Sequence, residues 1–240
     1  MSEQSRLITH ERPKSPVAEA YRTLRTNLGF TFIDTPCRSI LFTSANPQDG
    51  KSTTIANIAV AMAQAGNRII VVDCDLRKPM LHRIFQLENR RGLTNCIMQQ
   101  AEPEELLQKT AIDNLEVLTS GPIPPNPAEM LASERSKALW DKLLAVYDYV
   151  LLDSPPILAV ADASILATQV DGVILIIRFA QTRIDLAREA KEQLLKANAH
   201  IIGSVLNQVN MESKDYQYYY YYYHEESEKS KSKKRGFLAK

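Results

Sequence analysis

Short apolar runs alternate with longer amphipathic stretches along most of this chain. The short runs, rich in Ile, Val and Leu, predict strands at residues 39–44, 68–73, 149–153, 172–178 and 201–207. Helical spacing of apolar residues predicts helices that start at Pro16 and that cover residues 51–65, 127–146 and 182–198. Strands that are apolar throughout and separated by helices are typical of a parallel sheet covered on both faces. The pattern therefore predicts an α/β fold with a mostly parallel sheet.

The same pattern divides the chain into three regions. Residues 1–35 form an N-terminal extension with one helix, residues 36–211 form the α/β domain, and residues 212–240 form a flexible tail rich in tyrosine and, at its end, in basic residues. A chain of 240 residues that is 45% hydrophobic can bury one sizeable core, so a single globular domain is expected.

Composition excludes several classes of protein. The net charge of +1 gives no field that would attract nucleic acid. The 3 cysteines have no C-x-x-C spacing, which argues against a disulfide framework and against a zinc site and fits a reducing cytoplasm. The chain has no apolar run of the roughly 18 residues that a membrane-spanning helix needs. We therefore expect a cytoplasmic protein that reaches a membrane only through a partner or through its tail.

A phosphate-binding motif follows the first predicted strand. It matches the Walker A pattern with Ala45 in place of the first glycine. The predicted nucleotide-binding residues are Ala45, Asn46, Pro47, Gln48, Asp49, Gly50, Lys51, Ser52 and Thr53. Backbone N–H groups of such a loop and the dipole of the next helix bind phosphate. Lys51 would bridge the β and γ phosphate oxygens, and Ser52 would ligate Mg²⁺. The alternative is a chance G-K-S sequence at the start of a helix.

Acidic residues end two further strands. Asp153 closes an apolar strand, as the acidic residue of a Walker B strand does, and is expected to hold Mg²⁺ directly or through water. Asp73, Asp75 and Arg77 follow another apolar strand, at the end of the sheet where open α/β folds bind ligands. One of these two carboxylates can accept the proton of an incoming hydroxyl while the other organises the metal. The alternatives are a solvated loop carboxylate at 153 and a salt-bridged loop at 73–77.

These motifs together resemble the bacterial tyrosine kinases of capsule and exopolysaccharide operons, a P-loop family, over roughly residues 13–223. The resemblance rests on the Walker A loop at 45–52, D-x-D-x-R at 73–77, D-S-P-P at 153–156, S-G-P-x-P-P-N-P at 120–127, E-x-x-R-x-x-R at 19–25 and a tyrosine cluster near the end. Positions 48 and 49 depart from the Gly-Glu pair that is usual in the family.

The resemblance implies specific roles for the site residues. Lys51 binds phosphate, Asp73 is the base toward the tyrosine hydroxyl, and Asp75 joins Ser52 and Asp153 around Mg²⁺, with ATP as the phosphate donor. Arg77 belongs to the same catalytic motif. Asn207, at the end of a strand, resembles the adenine-contacting asparagine of related ATPases, although an asparagine that merely ends a strand is an alternative.

The resemblance also implies partners. Glu19, Arg22 and Arg25 would hold a neighbouring subunit in a ring-shaped homo-oligomer, although a surface salt-bridge cluster is the alternative reading of their spacing. A separate transmembrane adaptor would activate the kinase and recruit it to the inner face of the cell membrane. Protein tyrosines would be the substrates, a tyrosine phosphatase would oppose the kinase, and synthesis or export of a capsule or exopolysaccharide would be the regulated process.

The tail supplies the predicted acceptors. They are Tyr216, Tyr218, Tyr219, Tyr220, Tyr221, Tyr222 and Tyr223. So many adjacent rings cannot be buried against one core, so the alternative is a low-complexity tail without this role. We expect each tail to enter the active site of a neighbouring subunit.

Two other functions share parts of this pattern. A partition or division-site ATPase, which switches between monomer and dimer, has the same α/β core but carries a signature lysine where this chain has Asn46. A scaffold with a degenerate nucleotide site is disfavoured because the lysine, serine and acidic residues of the motifs are all present.

Overall fold

A computed structural model describes residues 7–31 and 36–209. Within these residues the strands are β1 (Ser39–Ser44), β2 (Ile69–Asp73), β3 (Gln108–Lys109), β4 (Leu115–Leu118), β5 (Tyr149–Asp153), β6 (Gly172–Arg178) and β7 (Ile201–Asn207). The α-helices are α1 (Ile8–Glu11), α2 (Pro16–Thr31), α3 (Lys51–Ala63), α4 (Leu81–Ile84), α5 (Leu93–Ile97), α6 (Pro127–Leu131), α7 (Glu134–Val146), α8 (Asp162–Ala167) and α9 (Ile184–Lys196). Pro103–Glu105 is a 3-10 helix.

The strands form one 7-stranded sheet in the order β3-β4-β2-β5-β1-β6-β7. All neighbours are parallel except β3, which pairs antiparallel with β4. Parallel strands need crossover helices, and such helices cover the faces of the sheet. The predicted mostly parallel α/β sheet is confirmed.

Side chains alternate between two cores along each central strand. On one face, Phe42 of β1 packs with apolar side chains of α2, α3 and α4. On the other face, Leu41 packs with side chains of α6, α7, α8 and α9. Both side chains are fully buried, and each such burial is worth about 1.5–3 kcal/mol. This explains why the strand sequences are apolar at every position.

One predicted helix is wrong in its extent. The stretch 127–146 forms two helices, because Ser133 takes an extended conformation between them. The Ser133 hydroxyl accepts a hydrogen bond from the Ser136 N–H at 3.3 Å and so caps the second helix. The apolar spacing continues across the break, which is why periodicity alone did not reveal it.

Strands β3 and β4 and the short helices α4 and α5 were not predicted. The β4 sequence is short and carries Glu116, whose carboxylate accepts a hydrogen bond from the Tyr147 hydroxyl. A strand of two to four residues or a helix of four or five residues is too short to establish a detectable apolar period.

Residues 7–31 and 36–207 belong to one compact unit. No helix in these ranges is both long and apolar enough to span a bilayer. The predicted domain limits at 35 and 211 fall on residues outside the described ranges, so they stay predictions, as does the tail at 212–240.

Gly92 is required by a close approach of two backbones. A Cβ atom at this position would lie 2.1 Å from the Thr119 carbonyl oxygen and 2.6 Å from the Gly121 nitrogen. The segment after β4 is therefore held directly against the segment that begins α5.

Replacing Gly92 by alanine should lower the free energy of unfolding by about 3 kcal/mol, because the new methyl group displaces one of these backbones. Urea unfolding followed by circular dichroism measures this change. Gly29→Ala is the matched control, since a Cβ there meets no atom of the described residues within 4 Å and alanine favours a helix by about 0.5–1 kcal/mol. Equal stabilities of the two variants would contradict the packing argument.

Candidate active site

The acidic residues and the phosphate loop lie at one edge of the sheet. Because β1, β2 and β5 run parallel, their carboxyl ends meet at this edge. Asp73, the last residue of β2, is paired in register with Asp153, the last residue of β5. The loop between β1 and α3 follows on the next strand. The predicted phosphate and acidic motifs therefore come together.

The phosphate loop turns through two residues with left-handed backbone. Gln48 has φ 66° and Gly50 has φ 91°. Glycine adopts this region freely, whereas a glutamine there costs about 1 kcal/mol. The departure from glycine at position 48 therefore leaves the turn in place and adds backbone strain.

The predicted nucleotide-binding residues differ in exposure. Ala45, Asp49 and Ser52 are buried, Asn46, Gly50, Lys51, Thr53 and Asn207 are half-buried, and Pro47 and Gln48 are exposed.

Asp49 links the phosphate loop to the segments at the carboxyl ends of β6 and β7. Its Oδ2 accepts the Asn46 N–H at 3.0 Å, and its Oδ1 accepts the Thr182 hydroxyl, from the loop before α9, at 2.9 Å. Its carbonyl oxygen accepts the Asn207 side-chain amide at 2.9 Å. The side chain is 3% exposed, so these bonds are shielded from water. Asp49 thus fixes the loop against the ends of β6 and β7.

Asn207 therefore has a structural contact within the site. Its amide group is committed to the Asp49 carbonyl, and its own carbonyl oxygen accepts the Phe179 N–H at 2.9 Å. Its contact with adenine stays a prediction. Thr182 was missed by sequence reasoning, because a threonine before a helix has no distinguishing pattern.

Lys51 points to the acidic residues. Its Nζ lies 3.2 Å from Asp75 Oδ2, in a pair whose side chains are 12% and 5% exposed. Burial lowers the pKa of Lys51, but the charges of Asp153, Asp75 and Asp73 outweigh it and raise the pKa overall. The lysine is firmly cationic, as a phosphate ligand must be.

Asp73 is fully buried at the end of β2. Its Oδ2 accepts the N–H groups of Met80 and Leu81 at 3.0 and 2.9 Å, whereas Oδ1 has no partner among the described residues. Burial, followed by the charge of Asp153, raises its pKa well above the ordinary value. A raised pKa gives the carboxylate a greater affinity for a proton.

Asp75 has a different environment. Its Oδ1 accepts the Lys78 N–H at 2.9 Å while Oδ2 faces Lys51. The two carboxylates of the motif are therefore not equivalent. Asp73 has the free oxygen, and Asp75 has the cationic partner.

Asp153 lacks hydrogen-bond partners altogether within the described residues. Both of its oxygens are buried and unpaired. Burial raises its pKa to about 6, although the charge of Lys51 and the nearby Ser52 hydroxyl act in the opposite direction. The Ser52 hydroxyl is close enough to affect the pKa without making a hydrogen bond of good geometry.

These unpaired oxygens fit a divalent cation. Mg²⁺ prefers carboxylate and hydroxyl oxygens and is usually bound by one or two carboxylates together with substrate phosphates. The described residues contain no group of three or more acidic, His or Cys side chains arranged to hold a metal by themselves. The donor set of Asp153 and Ser52 therefore suits a cation that arrives with a nucleotide.

Arg77 is paired with a carboxylate that lies outside the D-x-D-x-R motif. Its Nε and Nη2 donate to Asp162 Oδ2 and Oδ1 at 2.9 and 3.0 Å. Asp162 is fully buried at the start of α8, whereas the Arg77 side chain is 40% exposed. Asp162 was missed by sequence reasoning, because nothing in its surroundings distinguishes it from an ordinary first-turn acid. The catalytic role of Arg77 stays a prediction.

The predicted interface residues have partners within their own subunit. Arg22 Nη1 lies 2.6 Å from Glu19 Oε2, and its Nη2 donates to the Pro13 carbonyl. Arg25 Nη1 donates to the Ala61 carbonyl near the end of α3 at 3.3 Å. The predicted acceptor tyrosines at 216–223 lie outside the described residues.

Replacing Asp153 by asparagine should stabilise the nucleotide-free protein at pH 8. The folded-state pKa of about 6 exceeds the ordinary 3.8, so ionisation penalises the folded state. The penalty begins as pH rises above about 4 and is complete above about 6. It amounts to roughly 3 kcal/mol at the ordinary conversion between pKa and free energy.

Urea unfolding at pH 8 and pH 4.5 should therefore show a gain for Asp153→Asn that largely disappears at the lower pH. Asp162→Asn is the matched control, because this equally buried carboxylate has a bidentate cationic partner. The control should lose stability. A gain for Asp153→Asn that is the same at both pH values would contradict the assignment.

The sequence is similar to a known domain family and to known kinases. The AAA domain family model matches residues 38–211. The tyrosine-protein kinase YwqD of Bacillus subtilis is 46% identical over 204 residues, which is 85% of this chain and 86% of the relative. The putative tyrosine-protein kinase CapB of Staphylococcus aureus is 39% identical over 87% of this chain and 91% of the relative.

Solved structures agree with these relatives. The kinase domain of the Escherichia coli tyrosine kinase ETK superposes with a TM-score of 0.83 at 30% identity, over 87% of this chain and 82% of that one. The septum site-determining protein MinD of Pyrococcus horikoshii, complexed with Mg-ADP, has a TM-score of 0.63 at 22% identity, over 74% and 72%, which shows a shared fold alone. The division-site ATPase alternative is therefore not favoured, and the predicted family is confirmed. The chain belongs to the bacterial tyrosine-protein kinases and is itself a protein-tyrosine kinase.

Proposed function

We propose that this kinase transfers the γ-phosphate of ATP to the tyrosine cluster at 216–223 of a neighbouring subunit, and that this regulates capsule or exopolysaccharide synthesis or export. The observation that carries the proposal is the meeting of Lys51 with buried carboxylates at the phosphate loop. A site with one phosphate-binding cation and an adjacent unpaired carboxylate suits phosphate transfer to a hydroxyl.

The residues divide the chemistry between them. Lys51 exchanges Asp75 for the β and γ phosphate oxygens, aided by the backbone N–H groups of the loop. Asp73 accepts the proton of the tyrosine hydroxyl through Oδ1, the oxygen without a partner among the described residues. The tyrosine oxygen forms a bond to the γ-phosphorus, and the bond from that phosphorus to the ADP oxygen breaks.

Ser52 and Asp153 would hold Mg²⁺, with support from Asp75. A bound Mg²⁺ supplies charge neutralisation for the phosphate oxygens. Asn207 contacts adenine in this proposal, and its bond to the Asp49 carbonyl places it next to the phosphate loop. Arg77 keeps the segment after β2 in position through its pair with Asp162.

The names of the homologues support tyrosine as the acceptor. Tyrosine-protein kinase is the activity in the names of YwqD and CapB. The tyrosine cluster of this chain supplies adjacent acceptors. By family resemblance we also assign to this kinase a separate transmembrane adaptor that recruits it to the cytoplasmic face of the membrane, and an opposing tyrosine phosphatase.

Mixing two inactive variants tests transfer between subunits. Lys51→Met removes the phosphate ligand but keeps the acceptors, whereas a variant with every tyrosine at 216–223 changed to phenylalanine keeps the site but lacks acceptors. Each variant alone should give less than a tenth of the wild-type phosphotyrosine signal with Mg-ATP. The mixture should restore the signal on the Lys51→Met chain.

Lys142→Met is the control, since this lysine is exposed on α7 and pairs only with Glu102 among the charged groups described. It should keep the full signal. Undiminished phosphorylation of the phenylalanine variant would place the acceptors elsewhere in the chain. A silent mixture would indicate transfer within one subunit. Adding a cytoplasmic segment of a candidate adaptor to the wild type tests activation in the same assay.

The oligomer would be held by Glu19, Arg22 and Arg25, which lie on the exposed or half-exposed side of α2. Their contacts within the subunit leave donors and acceptors that a neighbour can share, because a guanidinium has five N–H donors. Each phosphotyrosine adds about −1.5 to −2 charge, so full modification would place like charges on every subunit of a ring. We therefore assign to tail phosphorylation the role of dissociating the oligomer.

Light scattering after gel filtration tests this assignment. The unphosphorylated wild type should have the mass of an oligomer. The unphosphorylated Arg22→Glu variant should have the mass of a monomer, without a large change in melting temperature. Full phosphorylation of the wild type should have the same effect. Arg188→Glu, on α9, is the charge-matched control and should leave the mass unchanged. An oligomer that persists in Arg22→Glu, or after phosphorylation, would refute the corresponding part.

A further inference from the structure

The sheet order indicates the side from which an acceptor tyrosine arrives. The phosphate loop follows β1, and the carboxylates end β5 and β2, so the line from phosphate to base runs across the sheet toward β4. Thr119, the first residue after β4, lies beside Asp73 because Val72 is in register with Leu118. The segment that follows β4 therefore borders the site on the side away from the nucleotide.

The segment that follows β4 leads to helix α6. It runs from Ser120 into this helix, which packs against α8. The Leu131 carbonyl at the end of α6 accepts the Gln169 side-chain amide at 2.9 Å. Helix α8 begins with Asp162, the partner of Arg77 from the segment after β2. The chain from 120 to 127 thus starts just after β4, the neighbour of β2, and ends at α6, which packs against the helix that begins with Asp162.

This segment is rigid and attached at regular intervals. Gly121, Pro124 and Pro127 are buried, at a spacing of three residues, which is the period of a polyproline II helix. Asn89 Oδ1 accepts the Gly121 N–H at 2.9 Å, and the backbone of Gly92 lies against the same residue. Prolines have fixed φ angles, so little conformational entropy is left to lose on binding.

The other side of the segment is an uncharged apolar surface. Pro122, Ile123 and Pro125 are exposed, and the Ile123 side chain has 65% of its area exposed. No charged residue lies between 119 and 128. A rigid row of proline and isoleucine offers flat apolar contacts to a ring, and tyrosine has an apolar ring with a polar hydroxyl at its tip.

We propose that Pro122, Ile123 and Pro125 form an acceptor ridge that binds the tyrosine-bearing segment of the substrate and directs one hydroxyl to Asp73. The ridge follows β4, whose last residue is paired in register with Val72 near the end of β2. Its lack of charge suits a run of tyrosines better than an acidic or basic peptide. The proposal rests on the tyrosine kinase activity of the chain. It does not require that the substrate be the chain's own tail.

Steady-state kinetics of Ile123→Ser test the ridge, in the full chain whose tyrosines at 216–223 are phenylalanine. The acceptors are a synthetic peptide with the sequence of residues 214–224 and, separately, a random copolymer of glutamate and tyrosine. The KM for at least one acceptor that the parent phosphorylates should rise about fivefold to tenfold, because part of one apolar side chain is lost from the contact. The KM for ATP should change less than twofold, and Ile123→Leu should restore the acceptor KM.

Val146→Ser is the matched control, because this apolar side chain is 50% exposed and lies at the end of α7. It comes just before the start of β5, at the amino-terminal ends of the parallel strands, whereas the site lies at their carboxyl ends. It should leave both KM values unchanged. Unchanged acceptor KM values in Ile123→Ser overturn the ridge. A parallel rise in the KM for ATP overturns it too, because the effect is then structural.

Two further outcomes separate the ridge proposal from the tail-phosphorylation proposal and from an adaptor-binding role of the same surface. If the parent phosphorylates the copolymer but not the tail peptide, the tail proposal fails and the ridge is judged on the copolymer alone. If Ile123→Ser keeps both acceptor KM values but loses activation by an adaptor segment, the surface is a docking site for that partner and the ridge is overturned.

Discussion

Two fully buried carboxylates, Asp73 and Asp153, end adjacent strands at positions paired in register. Like charges in a low-dielectric interior repel strongly, and each also loses its hydration there. Lys51 is the cation placed among these groups, and its pair with Asp75 balances only part of the negative charge. The edge therefore carries more negative charge than Lys51 balances, and further positive charge is what it accepts most favourably.

The rest of the edge keeps these charges in place. The N–H groups at the start of α4 bind one oxygen of Asp73, and the Arg77–Asp162 pair links the segment after β2 to α8. On the other side, Asp49 links the phosphate loop to Thr182 and to Asn207. The links of Arg77 to Asp162, of Asp49 to Thr182 and of Asp49 to Asn207 join residues 85, 133 and 158 positions apart. The spacing between phosphate loop and carboxylates is therefore fixed by tertiary contacts and not by local geometry alone.

Sequence reasoning predicted the central strands, their parallel arrangement and the meeting of Lys51, Asp73, Asp75 and Asp153, because each of these depends on a local pattern. Apolar runs define β1, β2 and β5, and parallel topology brings their ends together. It did not predict the break at Ser133, since a single extended residue leaves the apolar spacing intact. Asp162 and Thr182 were missed because their importance comes from partners 85 and 133 residues away.

In the proposed mechanism, the pairing of Lys51 with Asp75 makes nucleotide binding an exchange of ligands. The affinity for nucleotide would then depend on the difference between the free energies of two ion pairs, Lys51 with phosphate and Lys51 with Asp75, and not on the phosphate contact alone. The same competition works in reverse. In the proposed mechanism Asp75 competes for the lysine again once the γ-phosphate has been transferred, and this competition favours release of ADP.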